Sequence, residues 1–578
     1  MKKISKLCLL LVIVVLTFTI TSCNRDKTED GEREVDYSKT QLYVSNYNGG
    51  FGGEWLDKLI IRFEDHYKND SFEEGKMGVQ VHVDPAKDDG TAIAELIKTS
   101  RNDVFFTEHV YYYDFVNRGL VADISDIVTG ELTEFGETGT IENKFNEQQK
   151  DFYKTTDGKY YGIPHYSAYS GIMYDIDLFE KKGFFFAADN SIDANLVKYN
   201  TDLNNGNNGF VFDKTERRSN GPDGLPNTND DGLPSTYEEF FLLCDYIKGA
   251  GCTPMIWNGE YRHGYVQALL QALGCDYEGL DQMTLNYTFN GTATNLVSSI
   301  DANGNVVFSE PVTINDKNGY EMYRSAGRYY AMNFYQKLTS NTSYYHDKCF
   351  NGTQSHKLAQ QDFLFSSPEG VSPIAMLADG IWWENESKEV FADIAAQFGD
   401  QYSRNNRNFG LMPLPKAAKE KVGETYTVLD THYSLGFVNA NCTGVELELA
   451  KKFLQFANTE LSLREFTTTT NTPKALNYSM TDDDLRLMSP FGRSVWGVRE
   501  NCDVVYPFSQ NPIFLNNQSK LIYSAGFESK ISNTVYNTIA DDIRGSKSGS
   551  ISAINYFNGI KNNYNDSWWN NSFDKYIK

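Results

Sequence analysis

Trp382, Trp383 and Glu384 stand side by side at the end of a largely apolar run, and Asp430 and His432 interrupt a second such run before Leu435. Flat rings beside carboxylates suit a molecule with apolar faces and fixed hydroxyls: the ring covers a C–H face and the carboxylate accepts from the edge. A glycoside hydrolase would use carboxylates too, as a pair several ångströms apart, and Glu384, Glu386 and Asp430 are candidates for that chemistry. The signatures GxSxG, HExxH, GxxxxGK[ST] and GxGxxG are missing from the sequence, and the 8 histidines are dispersed. A metal-binding pattern lies elsewhere. Asn227, Asn229, Asp231, the carbonyl of Leu233, Ser235 and Glu238 fall at the oxygen spacing of a calcium loop, with Gly232 at its sharp turn. Asparagine in the first position removes a charge, which weakens such a site. Ser235 with Glu238, or Thr236 with Glu239, also fits a capping box for the next helix. No cofactor is required on this reading. A structural calcium that orders the loop is the alternative to a plain glycine-rich turn.

These side chains have to be carried to one place by strands. Gln41–Ser45, Val79–Val83 and Asp103–His109 read as strands around a helix that begins near Glu54, the opening of an open α/β sheet. Ligands collect at the carboxyl ends of such strands, so Asn46, Asn48, Glu108 and His109 are candidates. Thr253–Gly259 is a later strand leading to Trp257 and Tyr261, with Trp257 either a ring platform or a core residue, and a helix over Val266–Leu273, short β-like patches over Asn286–Asp301 and Val306–Asp316 and an amphipathic helix over Tyr323–Leu338 follow. Between these regions Gly162-Ile163-Pro164 ends a strand, because proline cannot donate to the ladder. Ile172–Tyr174 begins another strand, and a short helix follows to a glycine stop at Gly183. Tyr166 and Tyr169 lie on the crossing between the two.

A length of 578 residues implies two or more domains, and 40% hydrophobic with 22% charged residues describes an ordered globular chain. The net charge of -24 speaks against nucleic acid as a partner. Lys2, Lys3 and Lys6 precede an apolar run from Leu7 to Ile20 of signal-peptide length. Ile20-Thr21-Ser22-Cys23 after it resembles a bacterial lipobox, which implies a signal over 1–22, lipidation of Cys23 and attachment to the membrane by acyl chains alone. Residues 23–37 are polar and charged, a flexible tether. The remaining cysteines form no CxxC pair; a disulfide among Cys244, Cys252 and Cys275 and buried free thiols are both open. About residues 190–232, asparagine, aspartate and glycine dominate, as in a surface insertion.

The stretch Asp157–Phe184, the helix start Pro234–Phe240, the segment Ala375–Glu384, the strand Phe409–Pro415, the crossing Leu429–Phe437 and the turn Asn471–Leu476 occur in an order that resembles the extracellular solute-binding proteins of ABC importers, the maltodextrin-binding-protein family. The resemblance implies an α/β, two-lobed periplasmic-binding-protein-like fold of type II with several hinge crossings. One lobe is expected over 38–162 and 434–477, the other over 163–433 and 478–578. It further implies a single copy, held by lipid at the outer face of a bacterial membrane, that binds carbohydrate and delivers it to permease subunits. Trp382 is then the ring that meets the sugar. Tyr166, Tyr169, Trp257, Tyr261, Trp383, Glu384, Asp430 and His432 join Asn46, Asn48 and Glu108 as cleft candidates. An extracellular glycan-active enzyme and a sugar sensor feeding a membrane kinase are the alternatives.

Overall fold

The computed structural model describes residues 33–47, 49–86, 90–108, 111–188, 209–212, 218–523 and 539–577. Along the chain come β1 (Thr40–Tyr47), α1 (Glu54–His66), β2 (Val79–Ala86), β3 (Val104–Thr107), β4 (Ile163–Pro164), β5 (Ser170–Asp175), α2 (Ile176–Lys182), α3 (Tyr237–Gly249), β6 (Thr253–Trp257), α4 (Arg262–Thr288), α5 (Ala326–Ser340), β7 (Ile374–Gly380), β8 (Phe409–Met412), β9 (Tyr426–Leu429), β10 (Leu435–Val438), α6 (Gly444–Phe456), α7 (Glu460–Thr470) and β11 (Cys502–Val505). Trp55, Leu56, Leu59, Ile60 and Phe63 of α1 are buried at helical spacing, so one face of this helix enters the core.

Two larger sheets hold nine of these strands, and β9 pairs with β11 apart from them. The first has the order β2-β1-β3-β10-β4, and the second β8-β5-β7-β6. In the first sheet β1 runs parallel to β2 and β3, while β10 runs antiparallel between β3 and β4. Pro164 lies on the edge strand β4, where its missing N–H costs no ladder bond. All seven residues of β7 are buried, as a central strand covered on both faces requires.

The chain therefore crosses from the first sheet to the second after Pro164 and returns between β9 and β10. A third passage, at residues 472–475, lies beside the first: Tyr166 bridges Lys474, and the Ser167 amide donates to the Pro473 carbonyl. Asp175 caps α2 by accepting from the Leu178 amide, and Gly183 ends that helix at φ 70°. The second carboxylate oxygen of Asp175 receives Arg407 at 2.6 Å in a fully buried ion pair, and Asp177 receives the same guanidinium at 3.0 Å.

Several expectations change. The helix through Val266–Leu273 extends over all of α4, with Gly279 at φ 69° as its interruption. The patches expected from Asn286 onward begin only at Gly291, as two short hairpins pairing 291–293 with 312–314 and 297–300 with 306–308. The helix expected at Tyr323–Leu338 lies at α5, because Gly319–Arg324 forms a tighter 3-10 helix ahead of it. Cys244, Cys252 and Cys275 are buried free thiols, so the disulfide among them is not formed. Much of the insertion lies outside the described residues, but its end is not a surface display. Phe210 stacks on Tyr246 at 3.8 Å, and Ser219, Asp230 and Leu233 are buried. The reason is a carboxylate-centred turn in which Asp230 accepts from the Thr228 hydroxyl and the Asp223 amide. The tether, too, is fastened at its end, where Arg33 pairs with Glu64 at 2.5 Å. Residues 1–32, Cys23 and the signal run among them, lie outside the described residues. Among the described residues no helix is long and apolar enough to cross a membrane.

Candidate functional site

The carboxyl ends of β3, β6 and β7 and the three passages between the sheets converge on one place. Trp382 follows β7 and is half-buried there. Its indole lies against two glycines from opposite sides of the molecule. A Cβ added to Gly380 would stand 2.0 Å from the ring, and one on Gly50 would stand 2.9 Å from the Trp382 Cβ and Cδ1. Gly50 belongs to the loop after β1, so the ring marks the junction of the two lobes. The Asn385 side-chain amide donates to the Gly50 carbonyl at 2.9 Å and ties that junction. His432 packs on Trp382 with ring centroids 4.6 Å apart.

Trp383 goes elsewhere. It is fully buried among Phe363, Phe409 and Phe491, with centroids 5.2 to 5.7 Å away. An extended chain is not what separates the two tryptophans. The backbone is already helical at Trp382 (φ −78°, ψ −14°), and Trp383–Glu386 forms one helical turn.

The expected carboxylates divide by environment. Glu108 is buried at the end of β3 and accepts a hydrogen bond from the Tyr166 hydroxyl, whose ring packs on Phe51 at 4.3 Å. Asp430 accepts from the Ser167 hydroxyl at 2.7 Å and from the amides of His432 and Ala168 at 3.2 and 3.3 Å. It thus fastens the first passage to the second, and burial pushes its carboxyl up to about 7. Glu384 is buried behind Trp382, where one oxygen accepts from Arg404 (3.1 Å), Asn471 (3.1 Å) and Ser489 (2.8 Å). Those three donors make that oxygen an internal tie, while the other oxygen is buried without a hydrogen-bond partner. Trp257 is a core ring, 2% exposed, against Tyr345 and Phe350, and Tyr169 is likewise buried. Tyr261 is half exposed, and its amide donates to Asn258 Oδ1. Asn46 is buried within β1. Asn48 and His109 lie outside the described residues.

Other groups at the junction are not evident in the sequence as ligand contacts. Asp379, at the end of β7, accepts from the Gln360 side-chain amide at 3.1 Å and from the Gly380 amide at 2.7 Å. Burial, and then the negative charge of Glu386, push its carboxyl up to about 8. Glu386 accepts from the same Gln360 nitrogen at 2.8 Å and lies 3.7 Å from His356 Nε2. Its carboxyl is raised by burial first, with Glu108 of the other lobe adding to the rise. The Tyr265 hydroxyl stands beside the Trp382 indole, near Asp379 and Glu386. The signal for Asp379 was its place at a strand's carboxyl end; Gln360, far off in sequence, gave none. Behind this layer Lys474 Nζ lies 2.6 Å from His165 Nδ1 and 4.9 Å from the centre of the Phe466 ring, both groups fully buried.

In the insertion, the Asn227 amide donates to Asp231 at 2.8 Å, and Asn227 adopts φ 63°. The cap of α3 is the second of the two alternatives: Thr236 Oγ1 accepts from the Glu239 amide at 3.3 Å, and Glu239 accepts from the Ser235 amide at 2.7 Å. Glu238 is not used by the cap. Among the described residues no three His, Cys, Asp or Glu side chains gather as a metal site.

The sequence model described as bacterial extracellular solute-binding protein matches residues 69–485. No curated protein matches the chain. Among solved structures, a "Chitin oligosaccharide binding protein" is similar at 13% identity and a TM-score of 0.50, covering 91% of this chain and 98% of its own. The solute-binding protein RafE in complex with raffinose is 12% identical, with a TM-score of 0.48 over 92% of this chain and 100% of its own. A family 1 extracellular solute-binding protein from Bifidobacterium longum subsp. infantis is 15% identical, with a TM-score of 0.48 over 92% and 99%. At such identities the likeness concerns the fold.

Proposed function

Because the chain belongs to the bacterial extracellular solute-binding protein family, as the match over residues 69–485 shows, we propose that it binds an oligosaccharide between its lobes and hands it to the permease of an ABC importer. The lobes are proposed to span 38–162 with 434–477 and 163–433 with 478–578. The observation that carries the reading is the Trp382 ring, half-buried where a loop of one lobe meets a strand end of the other, with carboxyl groups on its rim. A ring at that place covers an apolar sugar face while acceptors around it take hydroxyl hydrogens.

Binding rather than hydrolysis is favoured by what holds the carboxylates. Glu384 and Asp430, two of the three carboxylates that could serve a hydrolase, are held by internal hydrogen bonds. Attachment through lipidated Cys23 at the outer face of the membrane completes the proposal, with the lipobox as its support.

A calorimetric screen of oligosaccharides against the wild type and Trp382→Ala tests the reading. Loss of an anchoring ring should weaken binding by about 1–3 kcal/mol while the lobes stay folded. Unchanged affinity in a folded variant would remove the ring from the site. Binding of no saccharide at all would overturn the carbohydrate class.

A further inference from the structure

We propose that the cleft selects a positively charged ligand, and within the saccharide reading on which this rests an oligosaccharide bearing an ammonium group, held between Asp379 and Glu386 of one lobe and Glu108 of the other beside the Trp382 ring. Glu108 follows β3 of the first sheet, and Glu386 is the last residue of the helical turn after β7 of the second. The lobe junction closes right beside them: the residue before Glu386, Asn385, donates across it to the Gly50 carbonyl. Closure thus draws like charges toward each other, an arrangement that costs free energy with a neutral ligand and is relieved by a cation.

Within the second lobe one nitrogen, Gln360 Nε2, donates to both Asp379 (3.1 Å) and Glu386 (2.8 Å), so the two carboxyls crowd a single donor. Without a ligand the crowding is relieved by a proton, in keeping with the upward push on Asp379, and by His356 and Lys357 beside Glu386. The charged and titratable groups facing the pair are few. Glu386 faces His356, Lys357 and Glu108; Asp379 faces Glu386; and the Tyr265 hydroxyl faces both. Arg404 is not among them, since it pairs with Glu384.

Two further groups fit an amino sugar. The indole face of Trp382 attracts a cation as well as a C–H surface. Asn258 follows β6 and is 1% exposed; its Nδ2 lies beside the Tyr265 hydroxyl but makes no well-formed hydrogen bond. A buried donor without an acceptor is costly unless a ligand oxygen supplies one. An ammonium group for the carboxyls and a hydroxyl oxygen for Asn258 are both present on a glucosamine unit.

The test is calorimetry on the full chain at pH 6 with glucosamine oligomers, N-acetylglucosamine oligomers of equal length and an aliphatic diamine, in two buffers of different ionisation enthalpy. We expect the amino oligomers to bind tighter by about tenfold or more, as charge-assisted hydrogen bonds exceed neutral ones, with proton release on binding. Glu386→Gln and Asp379→Asn, each isosteric with the protonated acid, should erase that preference, so that the amino and N-acetyl oligomers bind with equal affinity. Equal or tighter binding of the N-acetyl oligomers by wild type would overturn the inference and leave the saccharide reading standing. Binding of the diamine alone would uphold the selection for charge and overturn the saccharide reading. Binding of none of the three would overturn the inference.

Discussion

Replacing Lys474 with methionine should change how stability depends on pH. Lys474 is 1% exposed, its Nζ lies 2.6 Å from His165 Nδ1, and the rings of Phe466, Trp55 and Phe106 stand 4.9, 5.7 and 5.9 Å from it. Burial alone holds its ammonium well below the usual lysine range, and no neighbouring carboxylate opposes that. In the folded chain Lys474 is then neutral at pH values where the unfolded chain, titrating near about 10.4, still binds a proton. The unfolded state holds the extra proton, so stability rises with pH up to the unfolded value and is lost as pH falls below it. One proton corresponds to about 1.4 kcal/mol per pH unit wherever the folded group is neutral and the unfolded one charged. The buried thiols and the raised carboxyls also titrate in this range, but they cancel when wild type is subtracted from Lys474→Met. Urea unfolding at pH 7, 8 and 9 provides the comparison: the wild type should gain on the variant by that slope. Parallel curves would mean that Lys474 keeps its charge among the rings, and the reasoning from burial would fail.

Arg407→Met leaves the buried Asp175 carboxylate without its main counter-charge, and the expected cost is about 3–5 kcal/mol in denaturant unfolding; a loss below 1 kcal/mol would show the pair to be dispensable. Lipidation is checked by mass spectrometry of the protein from a lipidating bacterial host, where a diacylated or triacylated Cys23 should be the first residue and an unmodified start elsewhere would refute it. Calcium in the loop Asn227–Glu238 is a separate proposal, supported by the helix cap's using Thr236 and Glu239 rather than Glu238. Millimolar calcium against chelator should raise the thermal midpoint, and Glu238→Gln should abolish the rise; the same midpoint in both would favour a plain turn.

The parts of the fold that were legible are those whose signal is local. The buried face of α1, the glycine stop at Gly183 and the proline at the end of β4 each follow from a few adjacent residues. Helix α4 was read too short because it is buried nearly all round and carries Gln271, Asp276 and Glu278 where apolar residues are expected. Asp276 is tolerated because Lys416 pairs with it at 2.8 Å, and Glu278 because it accepts from the Gly327 amide. Both partners come from distant parts of the chain. The site divides in the same way. Trp382 stands out by its own neighbourhood in sequence, whereas the role of Glu384 depends on Arg404, Asn471 and Ser489, which only folding brings together. Asp379 and Glu386 gain their meaning from Gln360 and from Glu108 across the cleft, and no local pattern marks that.

The place of β10 bears on the order in which the molecule can be made. This strand lies between β3 and β4, pairing Leu435 with Thr107 on one side and with Pro164 on the other. A growing chain that has reached residue 430 holds all other strands of that sheet, yet β3 and β4 have nothing to join them. The amino-terminal half must wait, with an open strand edge, until most of the polypeptide has emerged. Such long-range closure makes folding slow. It also leaves the facing edges of β3 and β4 unpaired for the interval in which an exported protein has to thread through a membrane.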